Sequence, residues 1–186
     1  MVQKTPLKVL YSLTYIGDLG YGMTQKTHRA DPWLEGLITA VAVGGFLIIL
    51  AVAFGLTPGV PGKIVDFFED LTGQTFPVVN GQLVLPAPGH PAAHFEVFSA
   101  VFNFMLGIGI LQIIILAMRL YAHSKIGKIA ETVGNMIFWL GGAVMANVFL
   151  LAGTLNGWFT FWPAMIIFAG LSLIAQALVR FIARKR

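Results

Sequence analysis

Four long apolar runs, at residues 33–56, 95–121, 129–155 and 157–182, dominate the pattern of hydrophobic and polar positions. Crossing about 30 Å of hydrocarbon at about 1.5 Å per residue takes roughly 20 apolar residues in a helix, and each run is long enough. Runs without polar alternation are not barrel strands, and in lipid the backbone is satisfied within a helix or a closed barrel. The pattern predicts an all-α integral membrane protein, a four-transmembrane-helix bundle with spans at those four runs.

Residues 1–32 carry a weaker apolar pattern. Their core at 9–16 is interrupted by Tyr11, Ser12, Thr14 and Tyr15, and no small-residue cleavage site follows, so a cleaved signal peptide is not expected. Leu7, Leu10, Leu13 and Ile16 predict instead a short interfacial helix on the cytoplasmic side, with Lys4 and Lys8 facing anionic headgroups. Asp31 is placed to cap the first span, Pro32 to start it and Trp33 to anchor it.

The segment 57–94 holds six of the nine prolines, which rules out one long helix. Residues 62–71 read as a short amphipathic helix, with Ile64, Val65, Phe67, Phe68 and Leu71 apolar and Asp66, Glu69 and Asp70 polar. Residues 78–84 contain Asn80-Gly81, the dipeptide favoured by a two-residue hairpin turn. A small extracytoplasmic cap of one helix and one hairpin is the expectation. A loop at 122–128 and a basic tail at 183–186 complete the organisation.

Charge orients this layout. With both termini cytoplasmic, eleven of the twelve Lys and Arg residues lie inside: Lys4, Lys8, Lys26, Arg29, Arg119, Lys125, Lys128, Arg180, Arg184, Lys185 and Arg186. Lys63 alone lies outside, so the excess of bases predicts a multi-pass protein of the cell membrane, N-in and C-in. Four acids fall on each side, giving net charges of +7 inside and −3 outside, which sum to the overall +4. A basic nucleic-acid surface is therefore not expected, because the charge is divided by topology.

Composition agrees: 57% of residues are apolar and 11% charged, with a mean hydropathy of +0.81. A soluble domain has about 25% charged residues. The absence of cysteine excludes disulfides, thiolate metal sites, iron–sulfur clusters and covalently attached haem.

Within the spans, polar and small residues carry the information, because polar groups need partners and small ones let helices approach. Glu96, Ser99, Asn103 and Gly107 form a stripe on the second span. Asn103 and Asn147 lie roughly 12 Å below the outer ends of their helices, and Gln112, Asn135 and Gln176 roughly 9 to 14 Å from the inner ends. The simplest role for these amides is interhelical hydrogen bonding. The alternative, a polar path, is opposed by Asn103 and Gln112 lying on opposite faces of one helix. On the third span Gly127, Ala130, Gly134, Gly141 and Ala152 make a small-residue face, adjoined by Glu131, Asn135, Gly142 and Ala146. Glu131 is expected to pair with Lys128, Arg119 or Lys125, and Glu35 with Arg29 or a C-terminal base. Trp139 is too deep for an interface anchor, so its indole N–H calls for a partner.

His90, His94 and Glu96 gather at the outer start of the second span and are weak metal candidates. His94 and Glu96 at i, i+2 point to different faces, and capping or loop hydrogen bonds are the favoured role for the histidines. Haem held by two histidines is opposed by His94 and His123 lying at opposite surfaces. No cofactor is expected.

No P-loop, GxSxG, HExxH, dinucleotide fingerprint or CxxC occurs. The leading expectation is a non-catalytic accessory subunit that packs, in the bilayer, against other membrane subunits or its own copies through its small-residue faces and outer cap. The alternative is a small homo-oligomeric channel or transporter using the second-span stripe. A weaker one is a membrane enzyme with an outer His/Glu site.

Overall fold

The computed structural model describes residues 32–56, 59–76 and 84–185. It is 83% helical. Helix α1 spans Pro32–Leu50 and continues as a π-helical stretch, Ala51–Leu56. Helix α2 (Val60–Glu69) and the strands β1 (Leu71–Thr75) and β2 (Val84–Pro88) form the cap. A 3-10 turn, Pro91–His94, leads into α3 (Phe95–Tyr121). Helix α4 (Ile126–Met145) passes into a second π-helical stretch, Ala146–Leu150, and α5 covers Leu155–Arg184. Four of these segments, Pro32–Gly55, Pro91–Tyr121, Ile126–Leu150 and Leu155–Arg184, are long and apolar enough to cross a membrane. The interfacial helix expected before residue 32, and Asp31 as its neighbour's cap, lie outside the described residues.

The third and fourth segments are shifted from their expected bounds by the turn between them. Gly153 adopts a φ of 62°, a left-handed conformation that suits glycine and stops the third span early. Thr154 then caps α5, its hydroxyl oxygen accepting from the Gly157 N–H at 3.0 Å. Pro163 lies inside α5.

The long helices pack as an open row. Helix α3 packs extensively on α4 and α4 on α5, while α1 leans on α3; no comparable contact joins α1 to α5. Glycines key each pair. Between α1 and α3, Leu111 sits against Gly45 and Ile49 against Gly107; between α3 and α4, Leu140 fills the space at Gly109. Between α4 and α5, Gln176, Phe168 and Met165 lie against Gly134, Gly141 and Gly142. A methyl group at Gly109, Gly134 or Gly141 would collide with its neighbour.

The cap is anchored through aromatic contacts. Phe67 of α2 meets His94 at 5.2 Å, Phe98 at 6.0 Å and Trp158 at 5.8 Å between ring centroids. The Trp158 indole N–H donates to the Pro86 carbonyl at 3.2 Å, joining α5 to β2. Val60 is fully buried at the start of α2, whereas Val65 and Phe68 remain exposed.

The hairpin differs from expectation. A two-residue turn at Asn80-Gly81 would pair Thr75 with Pro86, but β1 and β2 pair antiparallel with Thr75 opposite Val84 and Leu71 opposite Pro88. The strands lie outside the expected 78–84 apart from Val84 itself, and the Asn80-Gly81 turn falls outside the described residues.

Replacing Thr154 by Ala removes the cap of α5 and is expected to cost about 1 kcal/mol. Denaturant titration of the purified protein in detergent, with Thr154→Ser as the retained-cap control, measures this.

Candidate functional site

The sequence singles out polar residues in the spans, and the structure disperses them. Ser99, Gln112, Asn135 and Gln176 are half-buried, whereas Glu96, Asn103 and Asn147 are exposed. No hydrogen bond joins any two of the five amides among the described residues. Gln176 instead lies against Gly134, and Trp139 packs edge-on against Phe104 and Phe138. Glycine contacts, rather than the expected amide bonds, register the helices. The packing residues Gly134, Gly141, Gly142 and Ala146 are all buried, and Gly107 is half-buried.

Asn103 has the distinctive setting. With Gly107 it lines an open groove of about 290 Å³ between α3 and α1, walled by Ile48, Ile49, Val52 and Ala53. None of Ser99, Asn135 or Asn147 lines this groove. The small side of α3 and the start of the π-helical stretch after α1 shape it.

At the other end of the row, Lys128 pairs with Glu35 at 2.6 Å. Lys128 thus reaches Glu35 rather than Glu131, which makes no ion pair among the described residues; Arg29, an expected partner of Glu35, lies outside them. Lys128 occupies the first turn of α4, from which its long stem reaches the start of α1. Arg119 donates to the Lys128 carbonyl, and the Thr132 hydroxyl donates to the same oxygen at 2.9 Å. Together these tie the same-side ends of α1, α3 and α4.

The histidine cluster at the opposite end has a different acid from the expected one. Asp70, at the end of α2, receives the His90 backbone N–H at 2.8 Å, His90 Nδ1 at 2.9 Å and His94 Nε2 at 2.8 Å. Glu96 is exposed and takes no part. The two imidazoles engage different carboxylate oxygens, Oδ1 and Oδ2, so they bracket the carboxylate instead of converging on one point. Among the described residues no group of three His, Cys, Asp or Glu side chains is placed to hold a metal ion.

Hairpin register brings Asp70 to the histidines. Pairing Leu71 with Pro88 brings Asp70 beside Gly89 and His90, and the Gly89 N–H donates to the Asp70 carbonyl at 3.0 Å. Nothing in the linear spacing of residues 70, 90 and 94 signals this. The cluster joins α2, the hairpin base and the entry to α3, so its chemistry is that of a latch. His94 is 4% exposed, and its Nδ1 has no hydrogen-bond partner among the described residues. His90 is largely exposed.

No family model, curated protein or solved structure matches the chain.

The His90 backbone N–H, then the two imidazoles, hold the Asp70 carboxyl below the usual carboxylate range. The unfolded chain therefore takes up this proton first on acidification, so the latch contributes in full above about pH 4 and fades as the pH falls below it. Asp70→Asn is expected to lower the thermal unfolding temperature at pH 6, with the gap from the parent shrinking towards pH 3. Thermal scans in detergent at both pH values measure the gap.

Proposed function

We propose that the chain is a non-catalytic subunit of a larger assembly in the cell membrane, N-in and C-in, and that it docks through the outer groove between α1 and α3. The observation that carries this reading is Asn103. Its amide is exposed in an otherwise apolar groove, roughly 12 Å below the outer end of α3. An unbonded amide in hydrocarbon is costly, and a hydrogen bond from a neighbouring helix relieves that cost.

The surroundings support it. Among the described residues, helix α1 and its π-helical extension contribute just Ile38 and Ala53 to the buried apolar core. Gly36 and Gly44 have open space where a side chain would stand, so a second backbone can come close. On the small-residue side of α4, expected at first to receive partners, Gly134, Gly141 and the adjoining Gly142 are occupied by α5 of the same chain. The docking role therefore passes to α1 and the groove. The Lys and Arg distribution supports the orientation.

Association by this route is expected to weaken about 3- to 30-fold on Asn103→Leu, the equivalent of one interhelical hydrogen bond of about 0.6 to 2 kcal/mol. Purification in mild detergent followed by quantitative size analysis measures it. A chain that runs as a clean homo-oligomer with no co-purifying subunit contradicts the subunit reading. Assembly unchanged in Asn103→Leu contradicts the groove.

A further inference from the structure

A second groove, of about 470 Å³, opens between the first turn of α4 and the last turns of α5. It combines three properties. Gly127 and Ala177 leave its floor low, and a side chain at Gly127 would meet nothing within 4 Å. Ile126 and Phe181, both exposed, give it apolar walls. Arg180 and Arg184 line it as well, and neither forms an ion pair among the described residues.

The spacing of the two arginines matters. At i, i+4 they project from one face of α5, so both guanidinium forks are within reach of one anion. Depth supports a headgroup rather than a buried ligand. Trp158 and Trp162 mark the far end of α5, and the 18 residues from Trp162 to Arg180 cover about 27 Å, close to the thickness of a hydrocarbon core. Arg180 therefore stands where phosphates lie, with Ala177 on the chain side of it and Ile126, at the start of the antiparallel α4, beside the last turns of α5. Glu131, one turn beyond Gly127 on α4, is the acid nearest the groove along that helix. One carboxylate against two guanidiniums leaves the local charge positive.

From this arrangement we infer that the groove is a binding site for an anionic phospholipid, its phosphate on Arg180 and Arg184 beside Ile126 and one acyl chain running from Phe181 along Ala177. A free phosphate would use the arginines but gain nothing from the apolar walls. A zwitterionic lipid would fill the walls but carry a cation beside the guanidiniums. The inference rests on the membrane-spanning reading but not on the subunit reading, and it holds whether or not the α1/α3 groove docks a partner.

Native mass spectrometry of the full chain released from nanodiscs of mixed phosphatidylglycerol and phosphatidylcholine tests it. Resistance of the chain to carbonate extraction from membranes reports membrane insertion separately. The parent is expected to retain phosphatidylglycerol over phosphatidylcholine, and the Arg180→Gln, Arg184→Gln double variant to lose about 30-fold of that preference. Gly127→Leu keeps both charges, fills open space and is expected to lose retained phosphatidylglycerol too. Equal retention of the two lipids by the parent overturns the proposal. So does unchanged retention in either variant, or displacement of phosphatidylglycerol by equimolar glycerol 3-phosphate.

Discussion

Close approach at glycine is the constraint on which the rest of this structure depends. On the membrane-spanning reading, burying one apolar helix face against another gains little, because lipid tails are as apolar as leucine. What remains is contact: side chains of one helix seated against bare backbone of the next. Each neighbouring pair in the row has such a seat, at Gly45 and Gly107, at Gly109, and at Gly134, Gly141 and Gly142. The row stays open because the chain's seats join neighbours, and α1 has no counterpart on α5. Among the described residues, an open row leaves its first helix half unpartnered. That is the geometry from which the α1/α3 groove and its exposed amide follow.

The helices are tied at their two ends by different chemistry. At one end, Glu35, Lys128 and Arg119 link three helices through an ion pair and a shared carbonyl. At the other, Asp70 gathers three donors from His90 and His94, while Phe67 and Trp158 hold the cap against α3 and α5. In both end clusters the carboxylate is bonded within the protein. The exception is the α4/α5 groove, where two arginines face outward without a protein counter-ion among the described residues.

Much of the architecture was legible in the chain because length and apolarity decide it. The second span begins and ends where its apolar run does, and the cap helix lies within two residues of its expected bounds. Features set by long-range pairing were not legible. Asn80-Gly81 signalled a tight turn, but the observed register is two residues out of step with it. That same register creates the Asp70 latch, so missing one meant missing the other. Lys128 has an acid three residues away in Glu131, yet it reaches across to Glu35, because helix packing decides which carboxylate lies under its stem. The small-residue face of α4 was visible as a face; that α5 of the same chain fills it at Gly134 and Gly141 was not, since spacing along a helix does not name the neighbour.

The most direct test of the glycine-keyed row is a double-mutant cycle between Gly141 and Phe168, with unfolding free energy in detergent as the readout. Gly→Ala in a helix is intrinsically favourable by about 1 kcal/mol, and Gly44, which stands open, serves as the control where that gain should appear. At Gly141 the account predicts the reverse: overpacking against Phe168 outweighs the gain and destabilises the chain by about 1 to 3 kcal/mol. Shortening the ring by Phe168→Ala should then make Gly141→Ala harmless. A Gly141→Ala variant as stable as Gly44→Ala, or effects that simply add, would contradict it.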